Sequence, residues 1–271
     1  MTISTLDALV DALGNNSSRL VIDKASLANA AAGQYFSLWT ATGIPGAGSA
    51  PGAAANPTKA TAGAMDFTNQ TAPATSYLAW LALMCGNSAS NVEIHDRLAH
   101  MGGLSGTVTA AQGALSLVTN DPGADRLGAA NYSDVQWWLE VYTALGATGV
   151  NATVNVTYDD ASSGNLTAIA LGATPRAGRL YNLVSAVAGR YIRSVNSVTL
   201  SATTGTAGNF GITATRPRAI TSYPLLNKAE VYDWASLGLP EIPNDSCLAM
   251  IMLCSTTSTG TVRGGGKIAH G

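Results

Sequence analysis

Ser76-Tyr77-Leu78-Ala79-Trp80-Leu81-Ala82-Leu83-Met84-Cys85 and, 170 residues further on, Ser246-Cys247-Leu248-Ala249-Met250-Ile251-Met252-Leu253-Cys254 decide the fold. At that constant offset Pro73 matches Pro243, Ser76 matches Ser246, and Leu78-Ala79 matches Leu248-Ala249. Leu83 matches Leu253, Val92 matches Val262, and Ala99-His100 matches Ala269-His270. Each copy is an apolar run, a polar turn and a more polar run ending in Ala-His. We read one strand–turn–strand unit used twice. The run Leu78–Leu83 lacks strict alternation, as a strand buried on both faces does, and a short buried helix reads the same way.

Outward from the repeat the signals are those of strands. Arg19–Asp23 and Gln34–Thr40 are short strand patterns. Val135, Trp137, Leu139 and Val141 alternate with Gln136, Trp138, Glu140 and Tyr142, which predicts a half-buried strand with aromatics on both faces. Ala152–Tyr158, a turn at Asp159–Gly164 and Leu166–Leu171 predict a hairpin, and Val198–Ala202 with Phe210–Ala214 predict another. Leu6, Leu9, Val10 and Leu13 form the one helical stripe, capped by Ser4 or Thr5 and stopped at Gly14. Many short strands with a single short helix predict an all-β fold, a jelly-roll-like β-sandwich with an internal duplication. Residues 1–18 are expected to be a helix or arm, and 19–271 the sandwich body. Its repeat halves are about 20–104 and 193–271, with middle strands at 105–192. Whether the duplication makes two domains or two halves of one stays open. The Gly/Pro/Ala-rich segment 43–63 is expected to be an arm over a neighbour or an extended surface loop.

Composition narrows the function classes. Hydrophobic residues make up 46% of the 271-residue chain and charged residues only 11%, with a net charge of −2. A free monomer normally carries about 25% charge, so the chain reads as one covered by neighbours, or as a Ser/Thr/Asn-surfaced β protein. The densest basic stretch holds Arg176, Arg179, Arg190 and Arg193, too dispersed for a nucleic-acid footprint. No apolar run approaches the ~20 residues of a membrane-spanning helix, and no leader-like start is visible, so use without export is expected. Cys85, Cys247 and Cys254 fit no metal or redox spacing and are expected to be buried thiols.

Chemistry has few footholds. His95 and Asp96 fall on opposite faces of a strand, and His95 and His100 also differ in parity, so they do not converge on a metal. There is no nucleophile elbow; Gly103-Leu104-Ser105-Gly106 is one residue short. Glu140, Asp159, Asp160 and Glu241 are the only candidate carboxylates for acid–base pairs, and Asp159-Asp160 sits in a turn. No catalytic, cofactor or metal residue is assigned. The contact face picked out is Trp138, Glu140 and Tyr142, either an inter-subunit contact or a surface that stacks a sugar ring.

Three stretches carry a resemblance. Met1-Thr2-Ile3-Ser4-Thr5-Leu6-Asp7-Ala8-Leu9-Val10, Asp96-Arg97-Leu98 with Gly103–Thr109, and Ser197–Gly211 resemble structural proteins associated with the heads of tailed bacteriophages. The resemblance implies a non-enzymatic virion protein, a capsid decoration or cement type. Its implied partners are the major capsid protein and copies of itself, a trimer being the expected count. Its implied place is the capsid surface after assembly in the host cytoplasm. A tail, collar or fibre part and a carbohydrate-binding sandwich are the rival readings.

Overall fold

The computed structural model describes residues 3–28, 30–223 and 225–271. In chain order the elements are α1 (Leu6–Asn15), β1 (Ser17–Lys24), β2 (Tyr35–Ser37), β3 (Gly43–Ile44), β4 (Ser76–Cys85) and β5 (Ser90–Leu104). There follow β6 (Leu115–Ser116), α2 (Ala124–Leu127), β7 (Gln136–Thr143), β8 (Val150–Tyr158), β9 (Ser163–Asn165) and β10 (Ile169–Gly172). The chain ends through β11 (Arg179–Leu183), β12 (Ile192–Leu200), β13 (Asn209–Tyr223), β14 (Ala229–Asp233), α3 (Trp234–Leu237), β15 (Leu248–Leu253) and β16 (Val262–His270). The all-β sandwich with a short N-terminal helix is borne out.

The chain divides into two compact units, 1–48 with 58–96 and 217–271, and 49–57 with 97–216. The single body expected over 19–271 is therefore corrected. Residues 193–216, assigned by sequence to the second repeat half, belong with the middle strands. The chain leaves the first unit within β5, after Asp96, and re-enters it within β13, after Arg216.

In the first unit one sheet runs β14-β4-β16-β1, with β3 at its far edge, and the other runs β2-β15-β5-β13. Lettered B to I in chain order (β1, β2, β4, β5, β13, β14, β15, β16), these are the orders G-D-I-B and C-H-E-F of an eight-stranded jelly roll. Leu20, Leu78, Leu81, Leu83, Val262 and Ile268 of one sheet share a core with Phe36, Ile94, Leu248, Met250 and Met252 of the other. The second unit repeats the plan. Its sheets are β5-β13-β7-β11 and β6-β12-β8-β10. Lettered in the same way from β5 to β13, with the short β9 beside β8 left out, they give the same two orders. The second jelly roll is an insertion between the E and F strands of the first.

This topology explains why the two matching stretches are not hairpins. β4 and β5 lie in opposite sheets, as do β15 and β16. Each copy instead pairs with the other. β4 lies antiparallel to β16, Cys85 opposite Val262 and Ser76 opposite His270. β5 lies antiparallel to β15, Asp96 opposite Leu248 and Asn91 opposite Leu253. His270 ends β16, whereas its counterpart His100 lies within β5, which runs on to Leu104. The hairpin expected over Val198–Ala214 fails for the same reason: β12 pairs with β8 and β6, whereas β13 pairs with β7. The hairpin of β8 with β9 and β10 forms as read.

Close approach makes β16 a strand despite Gly264-Gly265-Gly266. A Cβ on Gly264 would sit 1.9 Å from the Ala82 carbonyl oxygen of β4, and its φ of +144° is one that side chains rarely adopt.

α1 starts where Thr5 Oγ1 accepts from the Ala8 N–H at 3.2 Å and runs one residue past Gly14. Its stripe splits. Leu9 and Ala12 pack on Ala79 and Ala269, while Leu6 and Val10 remain 55% and 59% exposed. Segment 43–63 is no free arm but lies pinned on the surface. Gly48 N donates to Trp39 O at 2.8 Å. Ala55 exchanges two backbone hydrogen bonds with His100, and Asn56 Nδ2 donates to Leu98 O and Asn120 O. Near its start the buried Lys24 ammonium donates to the carbonyls of Ala41, Pro45 and Gly46.

Candidate functional site

β7 brings Trp138, Glu140 and Tyr142 to one face as the alternation required, and that face is not outside. Their exposures are 2%, 1% and 6%. The surface-contact reading of these three is corrected: all three are buried, on the face of β7 opposite Trp137, Leu139 and Val141, which carry the second unit's apolar core. The physical reason is Arg97. Its guanidinium sits beside the Glu140 carboxylate, donating from Nη1 at 3.3 Å and from Nη2. Nη2 also reaches Tyr142 Oη at 2.7 Å and Thr213 Oγ1 at 3.1 Å, and Thr213 donates to Glu140 at 2.6 Å. Arg97 Nε donates to His100 Nδ1 at 2.9 Å, and Trp138 Nε1 to Thr215 Oγ1 at 2.9 Å.

With a partner for each charge, the polar face of β7 is satisfied from within. Burial, with the Arg97 cation second, pushes the His100 imidazole down to about 2. His100 is thus neutral, its proton on Nε2 and its Nδ1 lone pair on Arg97. Burial likewise raises the Tyr142 hydroxyl above its usual range. A general acid or base needs access to its substrate, and this cluster is buried.

The other candidates disperse. His95 Nε2 lies 2.8 Å from Glu93 Oε2. Asp96, one residue on, accepts from Cys247 N at 2.8 Å and pairs with Arg218 at 3.4 Å. Asp159 and Asp160 pair with Arg190 at 3.7 and 2.9 Å. The Ser162 hydroxyl holds the Asp160 carboxyl below the ordinary range. Glu241 forms a backbone bridge with Tyr77. His270 sets Nδ1 2.9 Å from Ser76 Oγ and Nε2 2.7 Å from Ser18 Oγ, joining three strands of one sheet. All three cysteines are buried, as expected, and carry no disulfide. Among the described residues no group of three or more His, Cys, Asp and Glu converges as a metal site would, and no helix is long and apolar enough to cross a membrane.

What the sequence reading missed is at the surface. The exposed large apolar side chains of the first unit include Leu6 and Val10 on α1, Leu225 and Leu226, Val231 on β14 and Trp234 on α3. Leu6 and Trp234 line one shallow groove with Ile3, Leu9 and Leu239. The 225–234 run carries no periodic signal that would have marked it.

No protein-family model matches the chain, and no curated protein matches it. Among solved structures, the VP2 subviral particle of infectious bursal disease virus aligns over 94% of this chain and 80% of that one, at 10% identity and a TM-score of 0.18. The Gx strain of that virus aligns over 94% and 82%, at 10% identity and 0.19. A likeness this small assigns neither fold nor role; the jelly-roll description rests on strand order alone.

Proposed function

We propose that this chain is a non-enzymatic structural protein of a virion that binds and stabilises the capsid shell as a decoration or cement subunit. The observation that carries this reading is the pair of eight-stranded jelly rolls, one inserted in the other, an architecture whose uses include capsid building. Three features support it. The polar clusters that chemistry would need are buried and self-satisfied. The chain is charge-poor, 11% against about 25% for ordinary domains. Its sequence resembles head-associated phage proteins. Such a subunit holds a shell through many weak contacts that add as avidity. Its partners in this reading are the major capsid protein and copies of itself in a trimer. The sugar-stacking alternative loses its residues, since Trp138 and Tyr142 are covered.

A second reading, favoured by the inserted jelly roll, makes the chain itself the shell subunit. One experiment separates the two. The purified chain is examined by electron microscopy alone and after mixing with stripped capsids. Binding to preformed shells that raises their heat stability is the expected outcome. Closed particles from the chain alone would replace decoration by the shell reading. Neither particles nor binding would sink both.

A further inference from the structure

We propose that β14 is a seam between two copies of this chain, joined antiparallel about a twofold axis at Val231. The inference deepens the structural reading above and rests on its requirement that copies associate.

β14 is the outermost strand of its sheet and, among the described residues, pairs with β4 alone. Its other edge presents a row of backbone donors and acceptors, and the partner that matches such a row is another strand. Natural edges are commonly guarded by charge, a proline or a bulge. Here the pairing with β4 is regular from Ala229 to Asp233. The charges on or beside the strand are Lys228 and Glu230, which pair at 3.1 Å, and Asp233, whose carboxylate caps α3 by accepting from Ser236 N at 2.9 Å. At the centre stands Val231, 63% exposed. Beside the strand lies apolar ground: Leu225 and Leu226 before it, then Trp234 and the groove it forms with Leu6.

Self-pairing fixes the identity of the partner. Antiparallel strands related by a twofold normal to the sheet keep their faces, so opposed residue numbers must sum to an even number. Centring on Val231 pairs all five residues. Val231 meets Val231, Glu230 meets Tyr232, and Ala229 meets Asp233. No like charges oppose each other. Lys228 then lies opposite the half-exposed Trp234 of the second copy, a cation–π placement. Centring on Glu230 would set two carboxylates face to face, and centring on Tyr232 would pair only three strand residues. The pattern selects one register and favours a copy of itself over an unrelated strand.

The test uses the full chain. Val231→Cys adds one exposed thiol to a protein whose own three cysteines are buried. Mild oxidation is expected to give a covalent dimer, whether or not the chain is assembled in a shell. Sedimentation should show a reversible dimer for the native chain. Val231→Lys should raise its dissociation constant roughly tenfold or more by opposing two cations. An equimolar mixture of Val231→Lys and Val231→Glu should restore it. Val184→Lys, at an equally exposed valine of the second unit, should change nothing. A native chain monomeric at 200 µM, or a dimer indifferent to Val231→Lys, overturns the seam. Shells that form without a 231–231 cross-link overturn the seam alone. A cross-linked dimer that neither builds nor binds shells leaves the seam standing and removes the virion reading.

Discussion

Arg97 shows how much one side chain decides. It converts a strand face of Glu140 and Tyr142, which looks like a binding surface in sequence, into interior. Removing one member of the pair leaves an uncompensated buried charge, so Glu140→Leu should cost about 3–5 kcal/mol in urea unfolding. The double replacement Arg97→Met with Glu140→Leu should cost clearly less, because no charge is stranded. His100 adds a pH signature. Above its ordinary value near 6.5 it is neutral both folded and unfolded, and contributes nothing to pH dependence. Below that the unfolded chain takes a proton that the folded chain refuses until about pH 2. Stability should therefore fall on acidification, by on the order of 2 kcal/mol from pH 6.5 to 4.5. Denaturation of native and His100→Gln protein across that range should show a flatter slope for the variant; equal slopes would refute the assignment. Arg97 and Glu140 are 43 positions apart with no periodic link, so their meeting was not legible in the sequence.

At the scale of elements, β16 behaves against its composition. Three successive glycines weaken a strand by propensity, yet this one runs between β1 and β4. The neighbouring backbones approach too closely for a Cβ at Gly264. Gly264→Ala should therefore destabilise by upwards of about 2 kcal/mol, read as a lowered thermal midpoint, whereas Gly14→Ala, with open space around it, should not. α1 is legible as a helix from its stripe and cap. Its facing was not, because Leu9 and Ala12, rather than the full stripe, meet the small residues Ala79 and Ala269. Periodicity reports that a face is apolar; it does not report how much of that face finds a partner.

For the whole molecule, pairing is between distant segments. Ser17 lies opposite Ala269, and Ser76 opposite His270. Such non-local topology folds slowly, so refolding from urea should take about a second or longer. Removing residues 262–271 should leave the first unit unable to fold, because β1 and β4 would lose the strand between them. A soluble truncated chain with native circular dichroism would contradict this topology. By itself the sequence determined the strand-rich class, the matching stretches that end in His100 and His270, the N-terminal helix and the poverty of charge. These are readable because side-chain period and composition are local properties of the chain. The tertiary structure alone decided that matching strands pair across copies, that the middle third is a second jelly roll, and that Trp138, Glu140 and Tyr142 are buried. Strand pairing is chosen by which distant edge completes a shared core, and a one-dimensional pattern carries no record of that choice.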